Sequence, residues 1–579
     1  MTLDSSCGLF NWRPKWLQRF KTPRWFTFII FLVFFLKGTP NTYYLTLIDV
    51  ILKRFGLNSE QFQCVISSSE LGIIPIIIFF PLIKFIKKKP VCLMLAVWVM
   101  AMGLLICTIP KIMGTKTSSN IEDTFMEEYH LLLAGYFFFG LGFSILNAVG
   151  IPYIDSNVPE EQSPAYVGCV LAGGLSAQFF GGIFGEFIKN VHGDELEEDY
   201  ADWWAGFVLV AFGMLFVSPF LAMFPNTLIS EESQDSEEEV TMESSKNHLV
   251  EYLKSLGRLI SNKVFMLSLL SHVFSYGAVL GFRNNFSVFQ LYMFNKTSKE
   301  AKIGVVLAVT TILSSVVMAA VGATIKHFKI NIQPLISWNI LVCLVSITCT
   351  AILYSTGCDV PIIYRETDTF NNISSSCNTD CNSSWSLEFF CAEDKKHQFL
   401  SLCHAGCTGP PVIEDKDTFY HDCKCAAEAL ANTFDTVGDT FGGTVIKGPC
   451  PGNCDDLYTF FIALVIILPS LWVSGPLGVS RFLITMRCIH EEDKEVGVLM
   501  LLAAGSLLSG FLSPPIFGSI LDNSCKFRPE GSACQLYDSE EMRKNFFLGI
   551  MLALNLVIVL EVLIFIFGKR LKLYSRMKK

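Results

Sequence analysis

Five ionisable side chains stand inside long apolar runs of this sequence: Lys37, Glu70, His272, Arg283 and Arg481. A charge at the centre of a hydrocarbon layer costs about 2.5–3.5 kcal/mol on insertion scales, so each needs a polar partner, a cavity or a ligand. Lys37 is the sharpest case. It lies twelve residues past Trp25, where its run begins, which places it about 18 Å in at 1.5 Å per residue. Glu70 lies eight residues past Phe62 in the next run, about 12 Å in from the opposite side. In a core about 30 Å thick the two reach similar depth. They could pair as a structural salt bridge, or Lys37 could hold the charged end of an anion. One turn beyond Lys37 come Asn41, Tyr43 and Tyr44, polar and aromatic groups that suit an amphipathic ligand and equally suit helix packing.

Arg283 stands beside Asn284 and Asn285. A cluster this polar must face a cavity or another helix, because lipid would not solvate it; the bland alternative is an interfacial Arg that snorkels outward. His272 could titrate near neutral pH and act as a proton-coupled switch, although a lone His is more often packed and hydrogen-bonded. Arg481 lies one to two turns deeper than the interfacial Arg487 and could hold an anion. The candidate substrate contacts are therefore Lys37, Asn41, Tyr44, Glu70, His272, Arg283 and Arg481. No catalytic constellation, cofactor motif or nucleotide-binding loop is read. Cys423-x-Cys425 could mimic a metal site, but its setting favours disulfides.

These residues need elements that cross a membrane. Of 579 residues 51% are hydrophobic, 17% are charged and 50 are Phe, and the apolar residues come in blocks of about twenty, enough to cross the hydrocarbon core. Twelve spans are read, at roughly 25–49, 62–86, 91–112, 130–153, 165–188, 203–225, 263–293, 301–326, 335–355, 457–487, 496–521 and 545–568. The net charge of −9 says little about partners; the distribution of charge says more. Arg13, Lys15, Arg19, Lys21 and Arg24 precede the first span, Lys84, Lys87, Lys88 and Lys89 follow the second, and six Lys and Arg fall between Lys569 and Lys579. The positive-inside rule makes these ends cytoplasmic, with both termini inside. The first span is too long for a signal-peptide core, so no cleavable leader is read. Lys84–Lys89 and Lys326–Lys329 are expected to latch onto carboxylates at neighbouring span ends.

Ten of the twenty cysteines fall between Cys358 and Cys454, in a polar segment. Such density implies an oxidising, extracellular setting, which agrees with the charge rule. Cys358, Cys377, Cys381, Cys391, Cys403, Cys407, Cys423, Cys425, Cys450 and Cys454 could form five bridges of unspecified connectivity. Cys525 and Cys534 are expected to pair in the last external loop. The other eight cysteines are read as free. Sequons at Asn372 and Asn382 lie in the cysteine-rich loop and Asn295 in a short external turn; the one at Asn285 falls inside a span.

The segments read as a cytoplasmic N-terminus (1–24), a six-helix half (25–225), a cytoplasmic linker (226–262), spans seven to nine (263–355), the extracellular cysteine-rich domain (356–456), spans ten to twelve (457–568) and a cytoplasmic tail (569–579). The linker is acidic from Glu231 to Glu243 and then an amphipathic basic helix over His248–Ile260. Weak echoes relate the halves: Ile83-Lys84-Phe85 with Ile325-Lys326-His327-Phe328, and Ile183-Phe184-Gly185 with Ile516-Phe517-Gly518. The expected fold is all-α, twelve helices in two six-helix halves, the major facilitator layout. Gly173, Gly174, Gly181, Gly182 and Gly185 predict close helix contact along span five.

Several segments closely resemble the organic anion transporting polypeptides. Arg54-Phe55-Gly56-Leu57 with Ser67-Ser68-Ser69-Glu70-Leu71-Gly72 resembles the family's RFGL…SSxEIG stretch. Tyr153-Ile154-Asp155 matches its SYIDD, and Pro164-Ala165-Tyr166-Val167-Gly168 its SPLYIG. Asp202-Trp203-Trp204-Ala205-Gly206-Phe207 resembles the signature GAWWxGF, and Pro514-Pro515-Ile516-Phe517-Gly518 with Asp522 and Cys525 resembles APIxFGxxxDxxC. The ten-cysteine loop is similar to the family's Kazal-like domain. On residue type alone, Trp203 and Trp204 also fit an interfacial aromatic belt. Two departures matter. Ala201-Asp202 replaces Gly-Ala in the signature, and Phe139 and Ser506 stand where many members carry a basic residue in spans four and eleven.

The resemblance implies sodium-independent transport of amphipathic organic anions, such as steroid conjugates, bile acids or prostanoids, across the plasma membrane, with no enzymatic activity. The expected partners are those anions and membrane lipids, with no nucleic acid and no cofactor. The rival readings are a same-fold carrier of neutral or zwitterionic lipids, a non-transporting surface receptor, and a protease inhibitor built on the cysteine loop.

Overall fold

A computed structural model describes residues 7–8, 12–47, 51, 55, 59–84, 88–113, 121–191, 203–228, 245–294, 303–357, 362–363, 377, 389–414, 417–433, 443–448, 450, 455–511, 513–527 and 536–570. The described helices fall into twelve spans. Span one is Pro23–Thr46, span two Ser59–Leu71 continued by Ile73–Lys84, span three Lys89–Met113, span four Ile121–Ser156, span five Ser163–Val191 and span six Ala205–Ala222. A linker helix, Ser245–Ser261, precedes the second half. Span seven is Lys263–Phe294, span eight Ile303–Phe328, span nine Ile332–Ser355, span ten Asp455–Ser474 continued by Val479–Arg487, and span twelve Ser539–Arg570. Among the described residues eleven helices are long and apolar enough to cross a bilayer. The remaining traversal, span eleven, is broken into three pieces: Lys494–Ala503, a π-helix over Ala504–Gly510, and Ser513–Asp522.

Span four is longer than its hydrophobic run, because Ile121–His130 adds a polar extension at the end that carries the disulfide domain. The break in span ten follows from Gly475, Pro476 and Gly478, which interrupt the helix between Ser474 and Val479.

Packing follows small residues. Span one lies against span five, and a Cβ at Gly181 would fall 2.4 Å from the Thr39 carbonyl oxygen. The glycines predicted to bring helices close therefore do so against span one. Spans three and four pair, as do spans seven and twelve. Span five meets span eight across the boundary between the halves, where Ser315 Oγ donates to the Ala172 carbonyl at 2.9 Å.

The signature tryptophans sit differently from an interfacial belt. Trp203 is 2% exposed. It packs edge-on against Phe55, and its carbonyl accepts from Tyr43 Oη at 2.9 Å. The Gly206 amide in turn donates to Tyr43 Oη at 3.2 Å. The signature thus ties the start of span six to the end of span one. Trp204 precedes the first turn of span six and packs partly buried on the same core. Asp202 lies outside the described residues.

The segment between spans nine and ten forms a six-stranded sheet: β1 (Ile362–Ile363), β2 (Phe390–Ala392), β3 (His397–Phe399), β4 (Val412–Glu414), β5 (Asp417–Tyr420) and β6 (Val445–Lys447), ordered β1-β3-β2-β6-β5-β4. Disulfides Cys377–Cys425, Cys391–Cys450 and Cys407–Cys423 brace this segment. Cys403 and Cys525 are also disulfide-bonded. Cys358, Cys381, Cys454 and Cys534, and the sequons at Asn295, Asn372 and Asn382, lie outside the described residues. Cys7, Cys64, Cys92, Cys107, Cys169, Cys343, Cys349 and Cys488 are free.

Candidate functional site

Three helical irregularities fall around one cavity. In span one, Pro40 stands one turn past Lys37 and deprives the Leu36 carbonyl of its helical donor. In span two the helix breaks at Gly72, two residues after Glu70. In span eleven the seven-residue π-helix carries Ser506; π segments inside α-helices recur at functional sites. Between them lies a small void of about 30 Å³, lined by Lys37, Asn41, Glu70, Phe139, Phe143 and Ser506 among others. Lys37, Asn41, Glu70, Phe139 and Phe143 come from the first half, and Ser506 and Leu502 from the second, so the void straddles the boundary between the halves.

Lys37 Nζ lies 3.4 Å from the centroid of the Phe143 ring, a cation–π contact. Among the described residues no ion pair joins Lys37 to Glu70. Arg283 is close enough for Lys37 to feel its charge along with that of Glu70, and it too makes no ion pair among the described residues. Lys37 thus shares the wall of the void with the carboxylate of Glu70, and Arg283 stands outside the lining. Asn41 Oδ1 is buried without a hydrogen-bond partner. A buried polar atom left unsatisfied in a cavity wall is a place for a ligand's donor. Phe139 and Ser506, which occupy the positions where the resemblance led to an expectation of basic residues, both line this void.

Of the seven residues singled out from sequence, Lys37, Asn41 and Glu70 share the void, and Arg283 is their electrostatic neighbour. The other three are placed elsewhere. Tyr44 is fully buried in the first half's core, its ring 5.2 Å from Tyr136. His272 stacks parallel on Tyr276 with its Nδ1 buried and unpartnered, beside Gly505 of the π-helix.

Arg481 is 1% exposed and ion-paired with Glu561 of span twelve. Its Nη2 also donates to Ser271 Oγ at 2.7 Å, and Ser271 donates to Glu561 Oε1 at 2.8 Å. The Arg481 charge is thus satisfied inside the second half, away from the void.

Glu561 escaped the sequence reading, although a lone carboxylate in the apolar run of span twelve was a visible signal. A second missed feature is the depth of the latch. At the end of the bundle opposite the disulfide domain, Lys494 pairs with Asp155 at 2.9 Å with both side chains buried. Around it lie Lys89–Glu495, Arg487–Glu160 and, at 2.8 Å, Lys329–Glu161. Each of these pairs joins one half to the other. Lys89 and Lys329 were expected to latch onto carboxylates; Asp155 and Lys494, at the centre, were not singled out for this.

The sequence model of the Organic Anion Transporter Polypeptide (OATP) family matches residues 25–542. Solute carrier organic anion transporter family member 74D of Drosophila melanogaster is 24% identical, over 94% of this chain and 74% of that protein. Member 4C1 of Homo sapiens is 24% identical, over 93% and 80%. Among solved structures, the major facilitator superfamily transporter FucP in the outward conformation superposes with a TM-score of 0.53 at 11% identity, covering 93% of this chain and 98% of that one. A bacterial homologue of the iron transporter ferroportin, in an outward-facing state, gives 0.52 at 12% identity, with coverage of 93% and 98%. The structural likeness carries the fold.

Proposed function

This chain belongs to the Organic Anion Transporter Polypeptide family, and from that premise we propose that it is a sodium-independent carrier of singly charged, amphipathic organic anions, working by rocking its two halves about the Lys37 void. The observation that carries this reading is the placement of Lys37. It lies in a void between the halves, held by an aromatic face and, among the described residues, without an ion pair. An anion's charged end would take the Lys37 ammonium, and its apolar body would lie against Phe139 and Phe143. A ligand hydroxyl or amide would donate to Asn41 Oδ1. With Phe139 and Ser506 in place of further cations, the wall offers one charge to an anion, which favours monoanions such as bile acids and prostanoids over dianionic conjugates.

The latch supports the rocking mechanism. Its four ion pairs all cross the boundary between the halves at one end, so that end opens only when they break. That end carries the basic clusters and is read as cytoplasmic, with the protein in the plasma membrane.

One observation favours the second reading, a carrier of zwitterionic lipids: Glu70 shares the void with Lys37, so a ligand bearing both charges could engage both. Uptake into cells expressing the chain separates the two. The anion reading predicts saturable uptake of a labelled bile acid or prostanoid, unchanged when choline replaces sodium. Uptake of a labelled lysophosphatidylcholine with none of any anion would overturn it.

A further inference from the structure

The linker helix Ser245–Ser261 presents three faces. At 100° per residue, Tyr252, Ser255 and Leu259 share one arc, and all three are buried. Tyr252 Oη donates to the Ile77 carbonyl of span two at 3.2 Å. A second arc holds the exposed residues Glu251, Lys254 and Arg258. The third arc, next to the buried one, carries Leu249, Leu253 and Ile260 with Val250 at its edge. These side chains are 49–57% exposed although the helix is already docked.

We propose that this third arc is a membrane-surface element, seated in the headgroup and acyl boundary of the leaflet at the latch end. Two observations on position select lipid as the occupant. The helix runs through Asn262 directly into span seven: Asn262 Oδ1 accepts from the Val264 amide at 3.1 Å, and Asn262 Nδ2 donates to the Cys488 carbonyl at 2.7 Å. This fixes the helix at the level where spans begin. It also lies beside the final turns of span two, whose Ile78, Phe79 and Leu82 are exposed apolar residues of a membrane-crossing helix. The bond from Tyr252 to Ile77 docks the linker next to that exposed apolar surface. An apolar face with charged residues opposite is the pattern of helices that lie in the interface plane.

The same helix bridges the halves. Tyr252 holds it to span two, while Arg258 grips Asp493 with Nε–Oδ2 at 2.8 Å and Nη2–Oδ1 at 2.5 Å. Asp493 precedes Lys494, the centre of the latch. The leaflet is therefore tied, through one helix, to the residues that hold the halves together.

The test uses the full-length protein in nanodiscs containing a phosphatidylcholine with a diazirine on its acyl chain near the headgroup. After photolysis, labelled peptides are identified by mass spectrometry. The inference predicts label on Leu249, Leu253 and Ile260, at a yield comparable to Ile78 and Phe79 and several-fold above Glu251 and Lys254. A Leu253→Asp, Ile260→Asp variant should lose the linker label several-fold and keep that of span two. Label on span two with none on the linker arc would overturn the proposal and leave the arc to a soluble partner. Label spread evenly over all three faces would overturn it as well, by showing the helix undocked.

Discussion

Lys494 Nζ lies 2.9 Å from Asp155 Oδ2, joining the first residue of span eleven to the last turn of span four with both side chains buried. Asp155 also accepts from Ser163 Oγ at 2.5 Å. Breaking one side of a buried pair leaves an uncompensated charge, worth about 3–5 kcal/mol. Asp155→Ala should therefore shift the protein toward states open at this end, measured as faster modification of a cysteine placed beside the latch. The swap Asp155→Lys with Lys494→Asp should restore slow modification. Unchanged modification in Asp155→Ala would mean that the pair does not hold the halves.

The pair between Arg481 and Glu561 lies wholly within the second half. Glu561→Ala orphans a guanidinium that is 1% exposed, and should cost about 3–5 kcal/mol. Thermal unfolding in detergent should show a clear loss. Arg481→Met with Glu561→Leu should recover most of it, because an apolar pair of similar volume carries no desolvation penalty. If the single variant unfolds like the wild type, the pair is not structural.

Gly140 faces the break in span two. A Cβ there would sit 1.8 Å from the Ser69 carbonyl oxygen, which is backbone and has little room to yield. Gly140→Ala should force spans two and four apart at a cost of about 1–3 kcal/mol. A Cβ at Gly518 would meet nothing within 4 Å. Gly518→Ala should be neutral or gain up to about 1 kcal/mol as a helical substitution. The two variants, compared by thermal stability, check the packing of the void's wall.

His404 lies in the disulfide domain, where burial pushes its pKa below the ordinary 6.5. Its Nδ1 is 2.6 Å from Ser401 Oγ, and its amide donates to the same oxygen. The folded state holds the imidazole neutral, while an unfolded chain takes up a proton near pH 6.5. The contribution to stability is therefore full above that pH and is lost as pH falls toward the lower folded value. Protease cleavage of this domain on intact cells should rise between pH 7.5 and 5.5, less so in His404→Gln. Equal pH dependence in both would assign the effect to other groups.

Much of the architecture was legible because a membrane permits few solutions. Apolar runs gave the traversals, and the cysteine-rich segment and basic clusters marked two opposite ends. The breaks were harder. Nothing in the composition of Gly505-Ser506-Leu507-Leu508-Ser509 marks it as a π segment, since that depends on how span eleven packs against spans two and seven. Span depth put Lys37 and Glu70 at one level, and both line the void, but it could not say which way Tyr44 turned. Helical phase decides that, and Tyr44 points into the core while Asn41 points into the void. Arg481 looked like a ligand site because its partner lies on a helix eighty residues away.

The most direct test is saturable uptake of a labelled bile acid or prostanoid by the wild type, Lys37→Ala and Lys37→Arg, each normalised to surface protein. A charge-assisted hydrogen bond contributes about 1.5–3 kcal/mol, which corresponds to roughly 10- to 100-fold in affinity. The account predicts that Lys37→Ala raises KM or abolishes uptake on that scale while Lys37→Arg retains part of it. Lys37→Ala transport with the wild-type KM and rate would contradict the account and remove Lys37 from the substrate site.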